Sequence, residues 1–142
     1  MKIVVIACFC FCSSCHINGQ SHSLNHTNKE LNVDSFRCNI DIVLQLSKTI
    51  EDPDEGDILN FLYTFDETCN SNVEYREFSN EVLFQVIQKH SYQVLDLLSN
   101  KNVKTYLILQ ELKSPVSDTY NRKDVEIVIK KVESIIENKK KN

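Results

Sequence analysis

The sequence predicts an all-α protein in which four helices form a bundle. The chain of 142 residues contains only 2 glycines and 2 prolines, whereas the tight turns of β-sandwiches and barrels depend on these two residue types. After residue 32, apolar residues recur mostly at the three- and four-residue spacing of an amphipathic helix. Scarce turn residues and helical periodicity together favour an all-α domain, which we place at residues 33–138.

The first 19 residues have the pattern of a secretory signal peptide. Lys2 precedes an apolar run over Ile3–Cys12, and small and polar residues then lead to Gly19. A charged, an apolar and a polar region in this order are typical of a cleaved export signal. The apolar run is far shorter than the roughly 20 residues that span a bilayer as a helix. We therefore predict a secreted, extracellular protein without stable membrane insertion.

The position of cleavage decides which cysteines the mature protein keeps. Four cysteines precede Gly19, so only Cys38 and Cys69 remain after cleavage there. In an oxidising compartment such a pair is most economically one disulfide, although two free buried thiols are the alternative. Cleavage after Ser14 would instead retain Cys15 as an odd thiol. Two cysteines without a nearby histidine do not suggest a metal site.

The net charge limits the classes of partner. The chain has a formal net charge of −4, and loss of the signal peptide removes Lys2 and no acidic residue, which makes the charge −5. A nucleic-acid-binding protein would show the opposite balance, so we expect no nucleic-acid partner. The roughly 120 residues that remain fit one domain.

Residues 20–32 are polar and are expected to form a flexible N-terminus. They contain the sequence Asn25-His26-Thr27, which is an acceptor for N-linked glycans. Asn25 is therefore a candidate glycosylation site.

Helix A is predicted over Val33–Glu51, where most apolar residues follow helical spacing. Pro53 disfavours continuation of this helix and Gly56 supplies a turn. Residues 51–57 are therefore predicted to form a solvated acidic loop, and their spacing does not match an EF-hand calcium loop. The outward polar stripe of helix A comprises Arg37, Asp41, Gln45 and Lys48.

The middle of the chain leaves alternatives open. Ile58–Phe65 has one helical apolar face, but its aromatic residues and threonine equally suit a short strand. Helix B is predicted over Val73–Lys89 and helix C over Ser91–Leu112. The junction at His90 has neither glycine nor proline, so B and C could be one bent helix, and residues 99–102 are an equally good break.

Helix D is predicted over Arg122–Glu137, which has the most regular apolar stripe of the chain. Residues 139–142 follow as a solvated basic tail that suits the helix dipole, with attraction to heparin or a membrane surface as the alternative. The outward polar positions of helix D include Lys123, Glu126, Lys130 and Glu133.

The sequence contains no pattern that indicates catalysis, a cofactor or a metal ion. It has no glycine-framed serine, no phosphate-binding loop and no zinc-protease motif. His90 is the only histidine in the predicted core, and we expect it to be half-buried with one hydrogen bond. We therefore expect a binding protein and not an enzyme. Regular mixed-charge stripes on helices A and D favour a protein partner, whereas a carrier of apolar molecules would need a hollow core.

Two segments resemble short-chain four-helix cytokines of the interleukin-4, interleukin-21 and interleukin-2 group. Cys38–Ile50 resembles the first helix of that family, and Asp124–Ile136 is similar to the final helix. The resemblance implies an up-up-down-down bundle with two long crossovers. Each crossover of such a bundle can contribute a short strand, and the candidates here are Ile58–Phe65 and Val103–Leu109. The interleukin-4 relatives usually have two or three disulfides, and this chain offers one pair.

The resemblance also implies a function. Members of the family are ligands that bind cell-surface receptor ectodomains and bring receptor chains together, and we expect a monomer that acts in immune responses. A secreted immune-modulating effector of another helical type and a hydrophobic-ligand carrier are the alternatives. By position, one receptor chain would be faced by Arg37, Asp41, Gln45 and Lys48. A second receptor chain would be approached by Lys123, Glu126, Lys130 and Glu133.

Overall fold

The structure is a computed structural model that describes residues 35–141. The predicted signal peptide, the segment 20–32 and Asn25 lie outside the described residues. Within 35–141 the chain is helical and contains no strand. The elements are α1 (Ile40–Lys48), α2 (Glu55–Tyr63), a short 3-10 helix (Glu67–Ser71), α3 (Val73–Asn100), α4 (Thr105–Lys113) and α5 (Arg122–Lys141).

The first helix is shorter than predicted. It begins at Ile40 because Cys38 has a φ of 50°, outside the right-handed helical region. Asn39 then caps the helix, with its side-chain oxygen accepting hydrogen bonds from the backbone N–H groups of Asp41 (3.0 Å) and Ile42 (3.4 Å). Residues 35–39 are therefore not part of α1, in contrast to the prediction, while Val33 itself lies outside the described residues, and α1 ends at Lys48.

The predicted acidic loop is in part a helix. Residues 51–54 are not helical, but α2 begins at Glu55 because the Asp54 carboxylate accepts a hydrogen bond from the backbone N–H of Asp57 at 2.7 Å. Acidic side chains are favourable at the positive end of a helix. Ile58–Phe65 is thus mostly helical, and the strand alternative is wrong.

One bent helix replaces helix B and the start of helix C. Within α3, His90 has the non-helical angles φ −129° and ψ 32°, and its Nε2 lies 2.9 Å from the Ile50 carbonyl oxygen. The chain breaks again at residues 101–104, and α4 follows from Thr105. The strand candidate at Val103–Leu109 is therefore wrong, and most of this segment is helical, as part of the predicted helix C, although it lies in the separate helix α4.

The last helix is longer than predicted. It begins at Arg122 as expected but continues through residues 139–141, where the sequence predicts a tail. Its buried residues Val125, Val128 and Val132 belong to the predicted apolar stripe. None of the helices within residues 35–141 has the length and apolar character needed to cross a membrane.

Side chains from all five helices fill the core. No buried polar side-chain atom within residues 35–141 lacks a hydrogen-bond partner, as is normal for a well-packed interior. The largest fully buried side chains include Phe61, Phe84, Leu46, Ile58, Leu62, Leu83, Leu97, Leu98, Ile108 and Leu112.

The predicted disulfide is present and helps to define the direction of α1. Cys38, just before α1, is bonded to Cys69, which lies shortly before α3. At the other end of α1, the carbonyl of Ile50 meets His90 within α3. The order of these contacts means that α1 and the first segment of α3 run in the same direction.

The second segment of α3 lies beside α5. Lys131 places its ammonium 5.4 Å from the ring centre of Tyr92, and Lys139 donates a hydrogen bond to the carbonyl oxygen of Lys101 at 3.0 Å. Residue numbers increase together along both elements, so this segment and α5 also run in the same direction.

A buried asparagine fixes the connection between α4 and α5. Asn80 is fully buried, and its amide nitrogen donates to the Glu111 backbone carbonyl at 3.1 Å and to the Glu111 carboxylate at 2.8 Å. Its amide oxygen accepts from the backbone N–H of Val116 at 3.1 Å. A single side chain of α3 therefore ties the end of α4 to the segment that leads into α5.

Candidate protein-binding surfaces

An exposed stripe on α1 combines apolar and charged side chains. Ile40 and Leu44 are four residues apart, which places them on one helix face, and they are 40% and 39% exposed. Asp41 and Lys48 are exposed beside them. We call Ile40, Asp41, Leu44 and Lys48 the α1 face. Apolar side chains surrounded by charge are typical of surfaces that bind proteins.

The structure divides the polar stripe predicted for helix A. Asp41 and Lys48 belong to the α1 face, but Gln45 donates a hydrogen bond to the carboxylate of Asp57 in α2 at 3.1 Å. Arg37 precedes the helix, and its Nε lies 3.6 Å from the Asp66 carboxylate. Two of the four predicted receptor-contact residues are thus engaged within the protein itself.

A buried carboxylate holds the segment before α1 in place. Asp66 is buried and forms an ion pair and hydrogen bond with Lys104. It also accepts hydrogen bonds from the backbone N–H and the hydroxyl of Thr68, at 3.1 and 2.9 Å. The hydrogen bond from Lys104 is the main cause that keeps the pKa of Asp66 well below its usual range. Because Arg37 contacts the same carboxylate, Asp66 links α4 to the chain that enters α1.

The carbonyl of Thr64 is a second link beside the disulfide. It accepts hydrogen bonds from the backbone N–H of Cys38 and from the hydroxyl of Tyr75, each at 3.0 Å. Burial raises the pKa of Tyr75 to about 12, so this hydroxyl stays protonated as a donor. The start of α1, the end of α2 and the first turn of α3 are therefore joined at one place.

A second exposed surface lies between α3 and α5. Tyr92 is 82% exposed and Ile127 is 54% exposed, and Lys131 lies over the Tyr92 ring. Two neighbouring clefts, of about 200 and 430 Å³, share Tyr92, Leu95 and Lys131 in their walls. We call Tyr92, Leu95, Ile127 and Lys131 the α3–α5 face. Tyrosine is one of the residue types that contribute most to protein–protein binding.

The polar stripe predicted for helix D is also divided. Lys123, Glu126 and Lys130 are exposed on α5. Glu133 instead forms an ion pair with Lys113 of α4 at 2.7 Å, so it joins two helices of the bundle. Within residues 35–141 there is no group of three or more histidine, cysteine or acidic residues that could hold a metal ion.

The apolar centres of these surfaces are not evident from the sequence pattern. Ile40 and Leu44 follow the helical spacing that assigns residues to the core, so their exposure is not visible in the pattern. Ile127 lies outside the apolar stripe of helix D, and this position on the helix predicts its exposure. The exposure of Tyr92 depends on the bend at His90, where the sequence has neither glycine nor proline.

The comparisons with known proteins add no relative. No protein-family model, curated protein or solved structure matches this chain.

Proposed function

We propose that this protein is a secreted, cytokine-like ligand that binds cell-surface receptors and brings two receptor chains together. The observation that carries the proposal is the presence of two exposed surfaces with apolar centres and charged surroundings. The α1 face and the α3–α5 face are built on different helices. A ligand that joins two receptor chains needs two such surfaces.

The helix directions support a bundle of the short-chain cytokine type. In an up-up-down-down bundle, the first two and the last two long helices each run in the same direction, joined by long crossovers. We assign the four bundle helices to α1, the two segments of α3 separated by His90, and α5. The contacts of Cys38 with Cys69 and of Lys101 with Lys139 support the two parallel pairs. The ion pair of Lys104 with Asp66 brings the chain that follows α3 back to the level at which α3 begins, which supports opposite directions for the two segments. α2 and α4 then lie in the crossovers.

The two surfaces would contact different receptor chains. On the proposed function, the α1 face binds one receptor chain through Ile40 and Leu44. Asp41 and Lys48 pair with opposite charges on that receptor chain. The α3–α5 face binds the other through Tyr92 and the adjoining part of α5. Exposed Lys123, Glu126 and Lys130 lie on the same helix as Ile127 and extend that contact.

The test measures binding of the purified mature protein to cytokine-receptor ectodomains by surface plasmon resonance. Leu44→Glu should weaken binding to one chain by about thirtyfold, which corresponds to about 2 kcal/mol, and leave the other chain unaffected. Ile127→Glu should show the reverse selectivity. Both should abolish receptor phosphorylation in responding cells, because each prevents the second chain from joining.

Val116→Glu is the matched control. Val116 is also an exposed apolar residue, but it lies outside both faces, so its binding and signalling should equal those of the wild type. Absence of saturable binding to every ectodomain at micromolar concentration would reject the receptor proposal. Loss of both interactions in each variant would reject the assignment of two separate faces.

A further inference from the structure

Four lysines lie together at one end of the bundle. Lys139, Lys140 and Lys141 form the end of α5, and Lys101 follows the last residue of α3. All four are exposed. The Lys139 ammonium donates a hydrogen bond to the carbonyl oxygen of Lys101 at 3.0 Å, which joins the two elements at this point. We call these four residues the lysine end.

The lysine end is a concentrated positive charge on an acidic protein. The chain has a net charge of −4, yet none of these four lysines lies within salt-bridge distance of a carboxylate among residues 35–141. Lys89, Lys104 and Lys113, by contrast, each have such a partner. The negative end of the helix dipole offsets only about half an elementary charge.

The lysines at the end of α5 are helical, so their positive charges lie on an ordered surface. The sequence predicts a solvated tail at residues 139–141, but α5 continues through Lys141. The lysine backbones are therefore already ordered, and a ligand that binds them does not bear the cost of ordering a tail. Repulsion among positive charges concentrated at one end of the bundle is relieved when a polyanion binds.

We propose that the lysine end binds sulfated polysaccharide chains of the heparin type. A linear chain is narrow enough to contact this end alone, whereas an anionic membrane would also face the acidic remainder of the protein. Residues 101–104 and 136–141 contain no aromatic side chain on which the bases of a single-stranded nucleic acid could stack. The proposal does not depend on receptor binding.

The experiment measures the affinity of the full mature protein for a size-defined heparin oligosaccharide at several salt concentrations. Each ionic contact with a single-stranded polyanion contributes about −0.7 to the slope of log K against log salt. For the wild type, four contacts predict that the affinity falls roughly fiftyfold between about 50 and 200 mM salt. The variant of the lysine end combines Lys139→Gln, Lys140→Gln and Lys141→Gln. It keeps only the contact of Lys101, so its affinity should fall roughly 2.5-fold over the same range.

A second variant, with lysines replaced elsewhere on the protein, has the same net charge as the first and tests whether the position of the lysines matters. Its affinity for heparin and its salt slope should equal those of the wild type, although the proposed receptor contacts would be weakened. Failure of the receptor proposal and failure of the heparin proposal are thus distinguishable. This control combines Lys48→Gln, Lys123→Gln and Lys130→Gln.

Three results would overturn the proposal. Equal losses in both variants would mean that net charge, and not the lysine end, determines binding. Unchanged affinity in the variant of the lysine end would remove these residues from the site. Equal or tighter binding to vesicles containing phosphatidylserine, or to a DNA oligonucleotide of matched charge, would show that the site is not selective for sulfated chains. Circular dichroism confirms that each variant is folded.

Discussion

Replacing Asp66 by asparagine is expected to lower the free energy of unfolding by about 1–2 kcal/mol at neutral pH. The substitution keeps an oxygen that can accept the hydrogen bonds from Thr68 but removes the charge that pairs with Lys104 and Arg37. Hydrogen bonds to charged groups contribute about 1.5–3 kcal/mol. The two cationic side chains are 46% and 45% exposed, so solvent screening places the loss at the lower end of that range.

The effect should depend on pH with a defined sign. Lys104 and Thr68 hold the pKa of Asp66 below its usual range in the folded protein. A lowered folded-state pKa stabilises the fold above the unfolded-state pKa of about 3.9, and this stabilisation is lost as the pH falls below that value. The difference in unfolding free energy between wild type and variant should therefore shrink from about pH 5 downwards.

Urea denaturation at a series of pH values, followed by circular dichroism, measures this difference. Asp118→Asn is the matched control, because Asp118 forms an ion pair with Arg122 at the exposed surface. That variant should change the unfolding free energy by less than about 0.5 kcal/mol. If the difference for Asp66→Asn is the same at neutral and acidic pH, or if the control has an equally large effect, the charge of Asp66 does not stabilise the fold.

The disulfide, the buried amide of Asn80 and the exposed apolar side chains of α1 and α5 can be tested in the same way. Replacing both Cys38 and Cys69 by serine should lower the unfolding free energy by about 3–4 kcal/mol, and an unchanged urea midpoint would contradict this. Asn80→Ala should lower the free energy of unfolding by about 1–3 kcal/mol because it removes hydrogen bonds of a fully buried side chain and leaves partly buried backbone groups of Glu111 and Val116 without this partner; a lower thermal midpoint measures the effect. Ile127→Glu should change the unfolding free energy by less than about 0.5 kcal/mol, and Leu44→Glu, whose side chain is 39% exposed, should lower it by about 1 kcal/mol; a markedly larger loss in urea denaturation would mean that these side chains support the core.

Periodicity and composition together predicted the parts of the fold that depend on local sequence. The apolar stripe around Val125 and Val132 predicted α5, and the cysteine count after cleavage predicted the bond between Cys38 and Cys69. A regular apolar stripe forms a helix in most tertiary contexts, and a pair of cysteines in a secreted domain usually forms a disulfide.

The parts that were predicted wrongly depend on capping and on distant contacts. Pro53 and Gly56 suggested a loop, but the carboxylate of Asp54 starts a helix within that segment. The bend at His90 is accompanied by a contact with Ile50, forty residues earlier in the chain. The exposure of Ile40 has the same kind of origin, because it depends on which surface of α1 the other helices cover.

The attachment of α1 at both ends has a consequence for association. A helix of nine residues is too short to be stable in water by itself. In this protein, the bond to Cys69 and the contact with His90 hold it in shape before any partner arrives. On the proposed function, the entropy of ordering Ile40 and Leu44 is thus lost during folding and not when the receptor chain binds. A free peptide with the sequence of α1 would have to bear that cost on binding, so it should compete poorly with the intact protein.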